Sequence, residues 1–156
     1  MVLNRHLYAV NSARRSEAGI TLIEIMVVLV IISSIAFLVA PKVIERLGEA
    51  KRTTTKVQIK SLENALKLFK LHNGFYPETQ QGLQALVELP AVGRAVNLNK
   101  YPPEGYLEGD AVPLDAWGGE FVYIGPDQSQ YGRYEIISLG EDGQPSDDDI
   151  SNRDPQ

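Results

Sequence analysis

A chain of 156 residues leaves room for one small folded domain beyond any anchoring segment. It contains no cysteine, which excludes a disulfide framework and a thiolate metal site. The formal net charge of −5 argues against nucleic acid as a partner, because neutralising phosphates takes a sustained excess of cations.

The first nineteen residues form a basic leader, with Arg5, Arg14 and Arg15, and His6 when protonated, against the single acid Glu17. Ile20 to Ala40 follows, an apolar run whose one formal charge is Glu24. As a helix it would be about 30 Å long, enough to cross the hydrocarbon core of a bilayer. Positive flanks stay on the cytoplasmic side, so the N-terminus is expected inside and the remainder outside. An acid within such a span asks for a cationic partner. Cleavage after Gly19 would supply one, because the new amine of Ile20 would lie four residues from Glu24, in its own chain or beside a packed neighbour. An ordinary signal anchor, with the acid reaching for the interface, is the competing reading.

After Pro41, apolar residues recur at helical spacing through Val43, Ile44, Leu47, Val57, Leu62, Leu66 and Phe69, which predicts a helix from about Lys42 to Leu71 continuous with the span. Pro41 would remove one hydrogen bond inside it. The many lysines of this stretch read as a solvated face near anionic lipid. His72-Asn73-Gly74 is a helix stop. Thr79 is placed to cap a short helix that buries Leu83, Leu86 and Val87. Prolines and glycines from Pro90 to Gly105 predict a loop. Strands are expected at Glu120 to Ile124 and Arg133 to Leu139, with a turn starting at Gly125-Pro126-Asp127. The sum is an α+β fold in which a long N-terminal helix packs on a small antiparallel sheet.

The tail carries Glu141, Asp142, Asp147, Asp148 and Asp149 within nine residues. Such a cluster repels itself unless solvated or bridged by a cation, and calcium is the natural bridge. The spacing does not match an EF-hand, and a disordered acidic tail is the alternative. Nothing looks catalytic: Ser146 has no histidine near it in sequence, and Trp117-Gly118-Gly119 reads as a turn.

Gly19-Ile20-Thr21-Leu22-Ile23-Glu24, followed by Ile25-Met26-Val27-Val28 and Pro41, resembles the class III signal of type IV pilins and pseudopilins. Tyr76-Pro77, Thr79 to Val87, Gly105-Tyr106-Leu107, Asp115 with Trp117-Gly118, and Ser138-Leu139-Gly140 with Asp142-Gly143 are similar to the major pseudopilin of the type II secretion system. The similarity runs from about Gly19 to Asn152. Departures are Ile20 where phenylalanine is usual, Ala116 where proline is common, and the ending Ser151-Asn152-Arg153.

That resemblance implies a pilin-like fold in three parts: a cytoplasmic leader over 1–19, a transmembrane and filament-core helix over 20–41, and a periplasmic globular domain over 42–156. It implies cutting after Gly19 by a prepilin peptidase, N-methylation of Ile20, and assembly aided by Glu24. It implies a non-enzymatic subunit of the secretion pseudopilus, a homo-polymer working with minor pseudopilins and the inner-membrane assembly platform. A structural calcium ion is implied at the Leu139 carbonyl, Asp142, the Gln144 carbonyl, Ser146, Asp148 and Asp149. Alternatives are a type IV pilus or DNA-uptake pilin, whose adhesive members commonly carry a C-terminal cysteine pair, and a membrane-anchored periplasmic binding domain.

Overall fold

The computed structural model describes residues 19–154; the leader residues Arg5, His6, Arg14, Arg15 and Glu17 lie outside them. One helix, α1, runs from Leu22 to Asn73. The chain divides into two units between Lys42 and Val43, and each is taken by itself.

In the first unit α1 is apolar and uncovered. Leu22, Ile23 and Phe37 are 82%, 70% and 85% exposed, and no residue of this stretch is buried. Water is a poor environment for such a surface, so it belongs against lipid or other apolar helices. Pro41 stands inside the helix, where the missing N–H leaves the Phe37 carbonyl without its usual donor.

In the second unit the same helix becomes amphipathic. Thr55, Ile59, Leu62, Ala65, Leu66 and Phe69 recur every three or four residues and are buried on one stripe. They form a core with Leu83, Ala85 and Leu86 and with sheet residues that include Tyr123, Ile136 and Ile150. The helix stops where the sequence predicts: Gly74 has φ +83°, and its N–H bonds the Lys70 carbonyl at 2.7 Å.

The sheet has three antiparallel strands in the order β1 (Val122–Ile124), β2 (Glu135–Ser138) and β3 (Ile150–Ser151). The first two lie inside the expected ranges and are shorter; the third has no sequence signal, being two residues in an acidic tail. It holds because Asn152 extends it. The Asn152 N–H donates to the Ile136 carbonyl, and its side-chain oxygen accepts from the Ile136 N–H at 3.0 Å, closing a pair that backbone alone would otherwise make.

The cap expected of Thr79 is a correction. A 3-10 turn, Leu83–Leu86, does bury Leu83 and Leu86, but Gly82 precedes it and no side chain caps it. Thr79 is engaged elsewhere: its hydroxyl accepts from the Gly125 N–H and donates to Asp127 Oδ1, tying its loop to the turn after β1. Val87 is half-buried.

Candidate functional site: the helix start and the acidic loop

Two places carry the functional expectations, and the structure adds a third. The first is the start of α1. Gly19, Ile20 and Thr21 precede the helix, and Thr21 is its N-cap: its Oγ1 accepts from the Glu24 N–H at 3.3 Å, and its carbonyl receives the N–H groups of Glu24 and Ile25. Thr21-Leu22-Ile23-Glu24 thus has the residue types and spacing of a capping box, a signal the sequence reading passed over. Glu24 occupies the first turn, where a negative charge opposes the partial positive charge of the helix end. Ile20, 71% exposed, lies beyond the helical register, so an amine there would not be stacked one regular turn above Glu24.

The second is the loop between β2 and β3. Ser146 Oγ bonds Asp148 Oδ1, and Asp149 Oδ1 accepts from the Ser146 N–H at 3.3 Å, so these three predicted ligands share one turn. The Ser146 hydroxyl, with the Glu141 N–H, holds the Asp148 carboxyl below the usual carboxylate range. A Cβ on Gly140 would fall 2.5 Å from Asp148 Oδ2, so the glycine next to the Leu139 carbonyl leaves space that this carboxylate uses. Arg52, on α1, donates to the Asp148 carbonyl at 3.0 Å and fixes the loop to the helix. Asp142 stands apart, its Oδ1 turned onto the Gln144 N–H at 2.9 Å. Among the described residues no three acidic, histidine or cysteine side chains are gathered closely enough to hold an ion. In chemistry the donors fit calcium, being hard oxygens throughout, with two carboxylates and a hydroxyl already adjacent.

The third, missed from sequence, braces the sheet beneath that loop. Asp115 is buried; its Oδ2 accepts from Ser138 Oγ at 2.6 Å, and its Oδ1 from the N–H groups of Trp117 and Gly119 at 3.0 and 2.7 Å. Trp117-Gly118-Gly119 is a turn, as expected, closed by the Asp115 N–H on the Gly119 carbonyl. His72 ends the helix beside Tyr106, whose hydroxyl is 3.3 Å from Nδ1.

Comparison with known proteins bears directly on this arrangement. Residues 42–153 match the family described as Type II secretion system (T2SS), protein G, and residues 14–40 match the Prokaryotic N-terminal methylation motif. The chain is 44% identical over 146 residues to the Type II secretion system core protein G of Pseudomonas aeruginosa, covering 90% of this chain and 98% of the relative. It is 43% identical over 140 residues to that of Klebsiella michiganensis, covering 89% and 94%. Among solved structures it resembles the major pseudopilin from the type 2 secretion system of enterohaemorrhagic Escherichia coli. That likeness has a TM-score of 0.58 and 37% identity, over 67% of this chain and 87% of the other.

Proposed function

From the premise that the chain belongs to the type II secretion system protein G family, we propose that it is the major structural subunit of the secretion pseudopilus and polymerises through the first half of α1. The observation that carries this is the uncovered apolar helix from Leu22 to Ala40, against which no described residue is packed closely enough to bury it. Lipid covers it before assembly, and the same segments of other copies cover it afterwards. Apolar helices gain no hydrophobic energy by meeting in lipid, so packing and charge pairing must select the assembled state.

The subunit enters the inner membrane with its basic leader in the cytoplasm and its folded domain in the periplasm. A prepilin peptidase cuts between Gly19 and Ile20 and methylates Ile20. The freed amine pairs with Glu24 of a neighbouring copy, and an unpaired charge in the filament core would be costly enough to enforce register. Minor pseudopilins and the inner-membrane platform take part in building the polymer. The subunit's role is mechanical, without catalysis. A type IV pilus subunit and a tethered binding domain are less well supported, given the family match across residues 42–153.

Leu139, Asp142, Gln144, Ser146, Asp148 and Asp149 would hold a calcium ion, the first and third through their carbonyls. Bound there, the ion would offset the mutual repulsion of the acidic loop. The chain's own part is to keep Ser146, Asp148 and Asp149 in one turn and to anchor that turn through Arg52. Deletion of the chain, followed by assay of folded exoprotein release, tests the function. Release should be lost and regained with the full chain; unchanged release would overturn the reading.

A further inference from the structure

A groove of about 1060 Å³ opens between the Lys60–Gly74 side of α1, the segment after β1 and the C-terminal Asn152-Arg153. In a chain of net charge −5 its lining reverses sign: Lys60, Lys67, Lys70, Arg94, Arg133 and Arg153 outnumber its acids. Lys60 is paired with Glu63 and Arg153 with Glu135, while the other four have no salt bridge among the described residues. Three of the cations lie against aromatic rings: Lys70 is 4.5 Å from the Tyr76 centroid, Arg94 4.3 Å from that of Phe75 and Arg153 3.1 Å from that of Tyr131. Ring contact holds flexible cations in place before any partner arrives.

The complementary charge is on the same chain. Glu141 and Asp147 are exposed and lie outside the expected calcium donors, so the loop keeps negative charge even with an ion bound. Arg52 holds it at its own level of α1, with Lys60 and Lys70 about 12 and 27 Å farther along the axis at 1.5 Å per residue, and none of its acids forms a salt bridge with a groove cation among the described residues. We propose that this groove receives the acidic loop, through Glu141 and Asp147, of a second copy in the polymer. A contact between two different patches of identical subunits is head-to-tail and propagates into an open helical array. Complementary charge across it would fix register and reject other seatings. This rests on the polymer reading above.

The test uses the full chain in a cell that assembles it, with filaments sheared and quantified. Lys67→Glu with Lys70→Glu, and separately Glu141→Lys with Asp147→Lys, should each cut filament yield about tenfold, and combining all four should restore it to within about twofold. Because the chain has no cysteine, Lys70→Cys with Asp147→Cys places the only thiols, and a short bis-maleimide should give a ladder of cross-linked copies in filaments. Abundant filaments with no ladder, or four-fold variants no better than either pair, would overturn the docking while leaving the polymer reading intact. Cross-links to a different protein would also overturn it. Failure of the wild-type chain to polymerise would overturn both.

Discussion

Ser138 on β2 donates to the buried carboxylate of Asp115 at 2.6 Å, so a loop that precedes the sheet is fastened to the strand that leads into the acidic loop. The other oxygen of Asp115 is occupied by two backbone N–H groups of the Trp117-Gly118-Gly119 turn, one of them supplied by Trp117. Removing the carboxylate strands buried donors, and hydrogen bonds to a charged group contribute about 1.5–3 kcal/mol each. Asp115→Ala is therefore expected to destabilise the domain by about 3 kcal/mol and Ser138→Ala by about 1.5 kcal/mol, with the double variant costing less than the sum. Urea unfolding of the four proteins in the cycle checks this; strict additivity would remove the coupling.

The proposed calcium site gives a second expectation. Asp142→Ala should lower thermal stability in calcium-containing buffer and leave it nearly unchanged in chelator. The native Asp142 contact to the Gln144 N–H is exposed and contributes little by itself. Differential scanning calorimetry with and without calcium reads it directly, and equal losses in both buffers would reject a metal role.

Alkaline pH probes the aromatic core. Burial, reinforced by Tyr106 and Glu88, pushes the Tyr101 phenol up to about 12, and burial also raises Tyr106, Tyr123 and Tyr134. Below an ordinary phenol pKa of about 10 both folded and unfolded chains are protonated and this stabilisation is fully present. Between there and about 12 the unfolded chain has lost protons that the folded one keeps, so stability falls as pH rises. Urea midpoints measured from pH 9 upward should decline through that window, with the tyrosinate absorbance of Tyr101, Tyr106, Tyr123 and Tyr134 appearing together with unfolding. Midpoints that stay level would contradict the burial assignment.

The N-cap makes a local prediction. Thr21→Ala should loosen the first turn of α1 by about 1 kcal/mol, equivalent to about fivefold faster amide exchange where opening is local. Exchange at Glu24 and Ile25 in detergent micelles would register it, and unchanged protection there would show that Thr21 does not set the helix start.

Much of the fold is legible because it is periodic. The apolar run to Ala40, the buried Leu62, Leu66 and Phe69 and the Gly74 stop follow from helical spacing and backbone preference, whereas Val43, Ile44, Leu47 and Val57, read at the same spacing, are exposed and Thr55 and Ile59 carry the start of the buried stripe. Elements held by long-range bonds were not legible. β3 depends on Asn152 meeting Ile136, and the engagement of Thr79 depends on Asp127, 48 residues away. The bracing role of Asp115 was not legible because nothing near it in sequence announces Ser138. At the candidate site the donor types in the acidic loop could be read, whereas their grouping follows from Gly140 and Arg52, which bring the loop's ends and the helix together.

The most direct measurement is the intact mass of the subunit recovered from assembled filaments. If proteolysis frees the apolar rod to stack, that mass corresponds to a chain beginning at N-methylated Ile20, without the nineteen residues before it. Filaments built from chains that still carry the leader through Gly19, in cells that secrete normally, would contradict it.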